Sequence, residues 1–277
     1  MSPIATIAGR EVRDALRNRW ILSTVLLMAG LALTLGFLGS APTGEVGAGP
    51  LEVTIVSLSS LTIFLVPLIA LLISHDAIVG EQDRGTLLLL LSYPVARWQV
   101  LVGKFLGHIA VLGFATVLGY GTAGAALALG RAGGVDLESI TGFAGMVGSS
   151  VLLGAVFIAL GYLVSAMVRE RATAAGLAIG IWLALVLLYD MALLGLLVAD
   201  QGKTLSAALF NWLLLLNPAD IYRLLNLAGL SKASLFAGMA GLSEQMQFGR
   251  SVLLAALTAW AAVPLTLAAL VFSRRQL

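Results

Sequence analysis

Six stretches of this chain run for about twenty residues with almost no formal charge: 20–38, 53–73, 105–129, 141–167, 173–198 and 249–272. A helix needs about 20 apolar residues to cross the hydrocarbon core of a bilayer. Backbone in lipid must satisfy its own hydrogen bonds, so such runs predict transmembrane helices. The 277 residues are 60% hydrophobic and 11% charged, with a mean hydropathy of +1.02, whereas a soluble domain carries about 25% charged residues. The expected fold is therefore all-α: a polytopic membrane protein with six transmembrane helices, forming one domain over 1–277. Pro67 sits inside the second run and predicts a local bend.

Segment 3–19 has Ile4, Ile7, Ala8, Val12, Ala15 and Leu16 at helical spacing, with Arg10, Glu11, Arg13, Asp14 and Arg17 largely opposite. That pattern predicts an amphipathic helix on the membrane surface, with Trp20 at the interface. Met1 to Trp20 carries four arginines and no cleavable-signal pattern, and reads as retained. With both termini in the cytoplasm, that side holds Arg10, Arg13, Arg17, Arg19, Arg84, Arg97, Lys104, Arg169, Arg171, Arg274 and Arg275. Arg131 falls in a short loop on the other side, and Lys203, Arg223, Lys232 and Arg250 in or beside a long one. Long loops count little in the positive-inside rule, so the bias is clear and predicts both termini inside. The expected location is a bacterial inner (cytoplasmic) membrane.

Between the second and third runs lies segment 74–104, an elbow that includes EQDRGTLLLLLSYPVARWQVLVGK at 81–104. Asp76, Glu81, Asp83 and Arg84 are its charged beginning. Gly85-Thr86 opens the leucines Leu87 to Leu91, Ser92-Tyr93-Pro94 closes them, and Arg97 and Lys104 follow. Five leucines cannot cross a bilayer. Thr86 is a good N-cap, and Pro94 suits the first turn of a second helix. Two short helices at the cytoplasmic membrane face, kinked at Tyr93-Pro94, would suit docking to a soluble partner.

The long loop, 199–248, has an apolar stretch from Leu205 to Leu216 that includes Trp212. Asn217-Pro218-Ala219-Asp220 is a helix start: Asn as cap, Pro at the first position, Asp at the third. Ile221, Leu224, Leu225 and Ala228 share a face, and Gly229 can end the helix. Two exterior interfacial helices follow, as a lid on the bundle or a platform for a partner. In the platform reading, Trp212, Asn217, Asp220, Tyr222 and Arg223 supply the contacts.

Asp190 is an acid deep in an apolar run, near its outer boundary. It is either a functional carboxylate or a bonding partner for the exterior helices, and its depth favours the second. Gly119 to Gly124 matches GxGxxG without a preceding strand, and Gly80 to Gly85 has P-loop spacing with Thr86 where lysine is required. Neither is a nucleotide site, so any ATP hydrolysis belongs to another subunit. The chain has no cysteine, which excludes disulfide and thiolate-metal chemistry. His75 and His108 lack a cluster, the methionines are scattered, and no metal site, catalytic constellation or nucleic-acid surface is expected. Gly103/Gly107 and Gly176/Gly180 suit close helix packing, within the chain or between copies.

The elbow resembles the cytoplasmic segment of ABC-2-type permeases: an acid, Gly-Thr-Leu, a leucine run, Pro-Val, a basic residue and Gly-Lys. Here these are Glu81, Gly85, Thr86, Leu87 to Leu91, Pro94, Val95, Arg97, Gly103 and Lys104. Ser74–Glu81 (SHDAIVGE), Gly103–His108 (GKFLGH), Thr173–Ala178 ahead of Asp190, and Leu213–Gly229 (LLLLNPADIYRLLNLAG) narrow the resemblance to the Nos branch. Its members are membrane subunits of transporters that serve nitrous oxide reductase maturation. The resemblance implies a non-catalytic permease subunit. Its partners would be a second copy of itself, a NosF-like ATPase dimer, a NosD-like periplasmic protein and membrane lipid. ATP and Mg would bind the ATPase and no cofactor this chain. Asp76, Glu81, Asp83, Arg84, Gly85, Thr86, Leu87, Pro94 and Arg97 would form the ATPase-coupling segment. The complex would export a sulfur species or relay motion for copper-centre assembly. The alternatives are an ABC-2 exporter of an unrelated lipid or drug, and a membrane scaffold that transports nothing.

Overall fold

The computed structural model describes residues 2–17, 19–38, 50–129, 137–200, 206–227 and 248–275. The glycine-rich loop around Pro42, the Arg131 loop, residues 201–205 and 228–247 of the long loop, and the expected helix end at Gly229 lie outside them. The side chain of Trp20 lies outside them too. Among the described residues all regular structure is helical. The elements are α1 (Pro3–Arg17), α2 (Arg19–Leu38), α3 (Pro50–Ser74), α4 (Val79–Asp83), α5 (Thr86–Leu91), α6 (Arg97–Leu129) and α7 (Leu137–Met167). They continue with α8 (Arg171–Asp200), α9 (Ala207–Leu215), α10 (Pro218–Leu227) and α11 (Arg250–Arg274).

Five of these, α3, α6, α7, α8 and α11, are long and apolar enough to cross a membrane. α2 has 20 residues; the part of it whose side chains are described, Ser23–Thr34, is a shorter apolar helix, so a sixth crossing remains an expectation. The helices overrun the apolar runs. α6 starts at Arg97, eight residues before Phe105, because Gln99 Oε1 accepts the backbone N–H of Ala96 at 3.0 Å and caps its first turn.

Glycines set the closest helix approaches. A Cβ at Gly103 would meet Ile7 Cβ at 2.9 Å, and one at Gly107 would meet Glu11 Cβ at 2.6 Å. This pair is therefore the bed on which α1 lies. Gly119 likewise admits Met28 of α2, Gly154 admits Leu112 and Val66, and Gly161 admits Ser74. α7 packs against α3 and α11 at the centre of the bundle. Three buried tyrosine hydroxyls in this apolar setting are paired with side chains of neighbouring helices, as the missing solvent favours. Tyr120 bonds Thr62 at 2.7 Å, Tyr222 bonds Ser150 at 2.9 Å and Tyr162 bonds His108 at 2.8 Å. Phe64 O, three residues before Pro67, accepts the indole N–H of Trp182 at 3.0 Å and ties α8 to α3.

α8 departs from regularity once, in a π-helical segment at Leu183–Leu188. The extra residue shifts the register of everything after it, including Tyr189 and Asp190.

Candidate coupling site

The elbow is built against the ends of α3, α6, α7 and α8. Ser165 Oγ of α7 accepts the N–H groups of Ile78 and Val79 at 3.0 and 3.1 Å, satisfying donors that a helix start leaves free. Asp76 pairs with Arg171, at the start of α8, at 2.7 Å. α4 and α5 are joined at Arg84-Gly85, where Gly85 adopts φ 69°, a left-handed conformation costly for residues with a Cβ. Gly85, rather than Thr86, therefore occupies the N-cap position of α5, and Thr86 Oγ1 donates to Glu81 O at 3.2 Å. The turn at 92–96 leads from α5 straight into α6, so both short helices precede Tyr93-Pro94 instead of flanking it.

The elbow has two faces. Val79, Gly80, Glu81 and Leu87 are buried. Asp83, Arg84, Gly85, Thr86 and Pro94 are exposed, together with Leu88 (62%), Leu89 (68%), Tyr93 (68%) and Trp98 (52%). Exposed apolar groups rimmed by charges have the composition of sites that meet a protein or a membrane.

Glu81 and Arg97, both expected to meet a partner, are directed into the protein. Lys104 lies between Glu81 Oε1 at 2.8 Å and Glu11 Oε1 at 2.7 Å, and His108 Nε2 is 3.7 Å from Glu11. Tyr162 of α7 closes the chain of contacts on His108 Nδ1. One cation thus holds α1, α4 and α6 together, and burying a charge demands such partners. Burial pushes the Glu11 carboxyl up, but Lys104 beside it pulls further, and the net pKa lies below 4.5. Arg97 Nη1 donates to the carbonyls of Phe272, Ser273 and Arg275 at 3.1, 3.2 and 2.6 Å, capping the end of α11. Arg275 in turn donates to the carbonyls of Ser165, Ala166 and Val168 at the end of α7. Helix C-termini leave carbonyls unpaired and favour cations.

At the opposite end, Arg223 joins Asp190 of α8 at 2.5 Å to Asp220 of α10 at 2.6 Å. Asn217 caps α10 as expected, its Oδ1 accepting Ala219 N–H at 3.1 Å. Its amide donates to Asp220 at 3.0 Å and to Leu185 O, inside the π-helical segment, at 2.9 Å. Tyr189 OH donates to Leu213 O at 2.7 Å. Asn217, Asp220, Tyr222 and Arg223 are thus turned into the bundle, because each meets a polar group of α7, α8 or α10. Trp212 stays 61% exposed, its ring 5.3 Å from that of Phe248. Burial, with Asp190 nearby, raises the Asp220 carboxyl to about 7 against the pull of Arg223.

His75 Nδ1 lies against carbonyls of its own helix at 3.0 and 3.2 Å. Among the described residues no three potential ligands gather for a metal. Sequence reasoning had no signal for the Glu11–Lys104 contact, which joins residues 93 apart. The GKFLGH motif marked Lys104 and His108 but not what they hold.

A family model described as ABC-2 family transporter protein matches residues 5–277. Two relatives are each described as "Probable ABC transporter permease protein NosY". That of Pseudomonas aeruginosa is 48% identical over 276 residues. That of Stutzerimonas stutzeri is 46% identical over 276 residues, and in both cases 99% of each chain is covered.

Proposed function

The chain belongs to the ABC-2 family of transporter proteins, and from that footing we propose that it is a permease subunit driven by a partner ATPase. Its elbow docks in a groove of that ATPase through Asp83, Arg84, Leu88, Leu89 and Tyr93, with both termini and the elbow in the cytoplasm. The observation that carries this reading is the two-sidedness of the elbow: an exposed apolar and charged face outward, and anchors to α6, α7 and α8 inward. Closure of the ATPase pair displaces α4 and α5. The Glu81–Lys104–Glu11 contacts pass that displacement to α6 and α1, Asp76–Arg171 passes it to α8, and Arg97 to α11. Packed helices move as bodies.

By similarity to the NosY relatives, the complex contains two copies of this chain, a NosF-like ATPase dimer and a NosD-like periplasmic protein. It serves assembly of the copper centres of nitrous oxide reductase. Of sulfur-species export and mechanical relay, the exposed Leu209, Trp212 and Leu216 at the far end favour relay, because they offer a periplasmic protein something to hold. Leu89→Glu with Tyr93→Asp tests the reading. The variant inserts, loses the co-purifying ATPase and leaves the reductase short of copper. Full ATPase recovery with wild-type copper content would overturn it.

A further inference from the structure

At the elbow end lies a cavity of about 780 Å³ lined by Gln82, Ala166, Met167, Arg169, Val271, Arg274 and Arg275. Three of the seven lining residues are arginines and none is acidic. Arg275 is committed to carbonyls at the end of α7, so the wall it forms is fixed. Arg169 and Arg274 are exposed and have no hydrogen-bond or ion-pair partner among the described residues. Gln82 Oε1 is buried and also without a partner. The remaining lining is apolar, and Met167 is 65% exposed beside it. The cavity therefore joins two uncommitted guanidinium groups to a greasy wall at the ends of two membrane-spanning helices.

We propose that this cavity seats the phosphate of an anionic phospholipid of the cytoplasmic leaflet, with its glycerol and first methylenes against Ala166, Met167 and Val271. Guanidinium forks match phosphate oxygens, and basic pockets between helices on the cytoplasmic side suit such headgroups. The volume lies in the range of small-molecule pockets, larger than a bare phosphate requires. A lipid is favoured over an acidic peptide because the cavity opens where helices leave the membrane, and only 22% of the most apolar stretch of α11 is buried. The site rests on the membrane orientation proposed above, not on coupling to an ATPase.

The test uses the full chain purified in dodecyl maltoside, titrated with micelles containing phosphatidylglycerol, phosphatidylcholine or neither, with bound phospholipid counted by native mass spectrometry. Wild type retains phosphatidylglycerol over phosphatidylcholine. R169Q with R274Q, both exposed and free of structural bonds, weakens retention by about fivefold per arginine and leaves the lipid-free melting temperature unchanged. R13Q with R17Q removes the same charge from the exposed side of α1 and leaves retention unchanged. Equal loss in both variants would mean diffuse surface charge and overturn the site. Full displacement by inorganic phosphate would mean a free-anion site and also overturn it. Unchanged lipid with loss of a co-purifying ATPase would mark the cavity as a protein contact and refute the lipid assignment. If elbow variants such as Leu89→Glu uncouple ATPase while lipid retention fails here, the permease reading stands and this one falls.

Discussion

Replacing Lys104 with methionine removes the cation that Glu11 and Glu81 share, and both carboxylates are left largely inside the protein. Breaking a buried pair from one side costs about 3–5 kcal/mol. K104M is therefore expected to melt well below wild type in detergent, and adding E11Q and E81Q should recover most of the loss, since no buried charge then remains. A triple variant no more stable than K104M would mean the cluster acts through shape rather than charge. Glu11 adds a pH dependence. Its folded pKa lies below 4.5, so its contribution is present above pH 4.5 and is lost as pH falls through the lower folded value. The E11Q chain should accordingly show a flatter melting profile on the acid side of 4.5. Asp220 has the opposite sign. Its pKa is raised to about 7, so its contribution is full below 3.8 and lost as pH rises through 7. Asp220→Asn, which mimics the protonated acid, should be neutral to stabilising at pH 8, whereas Arg223→Leu should destabilise by leaving Asp190 unpaired. At this scale the sequence showed which residues were unusual but not which way they faced. Asp190, Asp220 and Arg223 were all legible as polar groups in or near apolar runs. That they satisfy one another depends on a three-dimensional meeting of α8 with α10.

Elements were far more legible than contacts, because the hydrophobic run and the cap are local signals. Asn217-Pro218 starts α10 where cap chemistry says it should, and the Leu87–Leu91 run is a separate short helix. The π-helical segment at Leu183–Leu188 escaped, since LALVLL reads as uninterrupted helix. Its consequence is a carbonyl at Leu185 offered to Asn217 and a register that brings Asp190 to Arg223. The Gly103/Gly107 pair was ambiguous from spacing alone. The structure shows α1 on it, because a side chain at either position would collide with Ile7 or Glu11. Gly107→Leu should therefore lift α1 and cost about 1–3 kcal/mol of overpacking strain. The expected readout is faster protease cleavage within 3–17 while the remaining helices stay protected. An α1 as resistant as wild type would mean it is held from its other side.

For the whole molecule, burial is uneven among the membrane-length helices. The most apolar stretches of α3, α6 and α7 are 56–67% buried, but that of α8 is only 6% buried. Lipid can cover such a helix, since lipid tails are as apolar as leucine. α8, however, also presents Gly176 and Gly180, and a Cβ at either would meet nothing within 4 Å. Glycines four apart that meet no neighbour among the described residues fit close approach by a second helix. A second copy packed through α8 would also place the start of that helix, held by Asp76–Arg171, at the seam between two elbows, where the proposed ATPase pair would close. Gly176→Leu with Gly180→Leu is therefore expected to leave the single chain folded, because the new side chains displace none of the described residues. The same change should split the purified complex into single copies by mass in mild detergent. Dimers that persist would move the seam elsewhere, with the sparsely buried α11 the next surface to alter. A chain that loses its helical signal instead would show that these glycines serve the monomer.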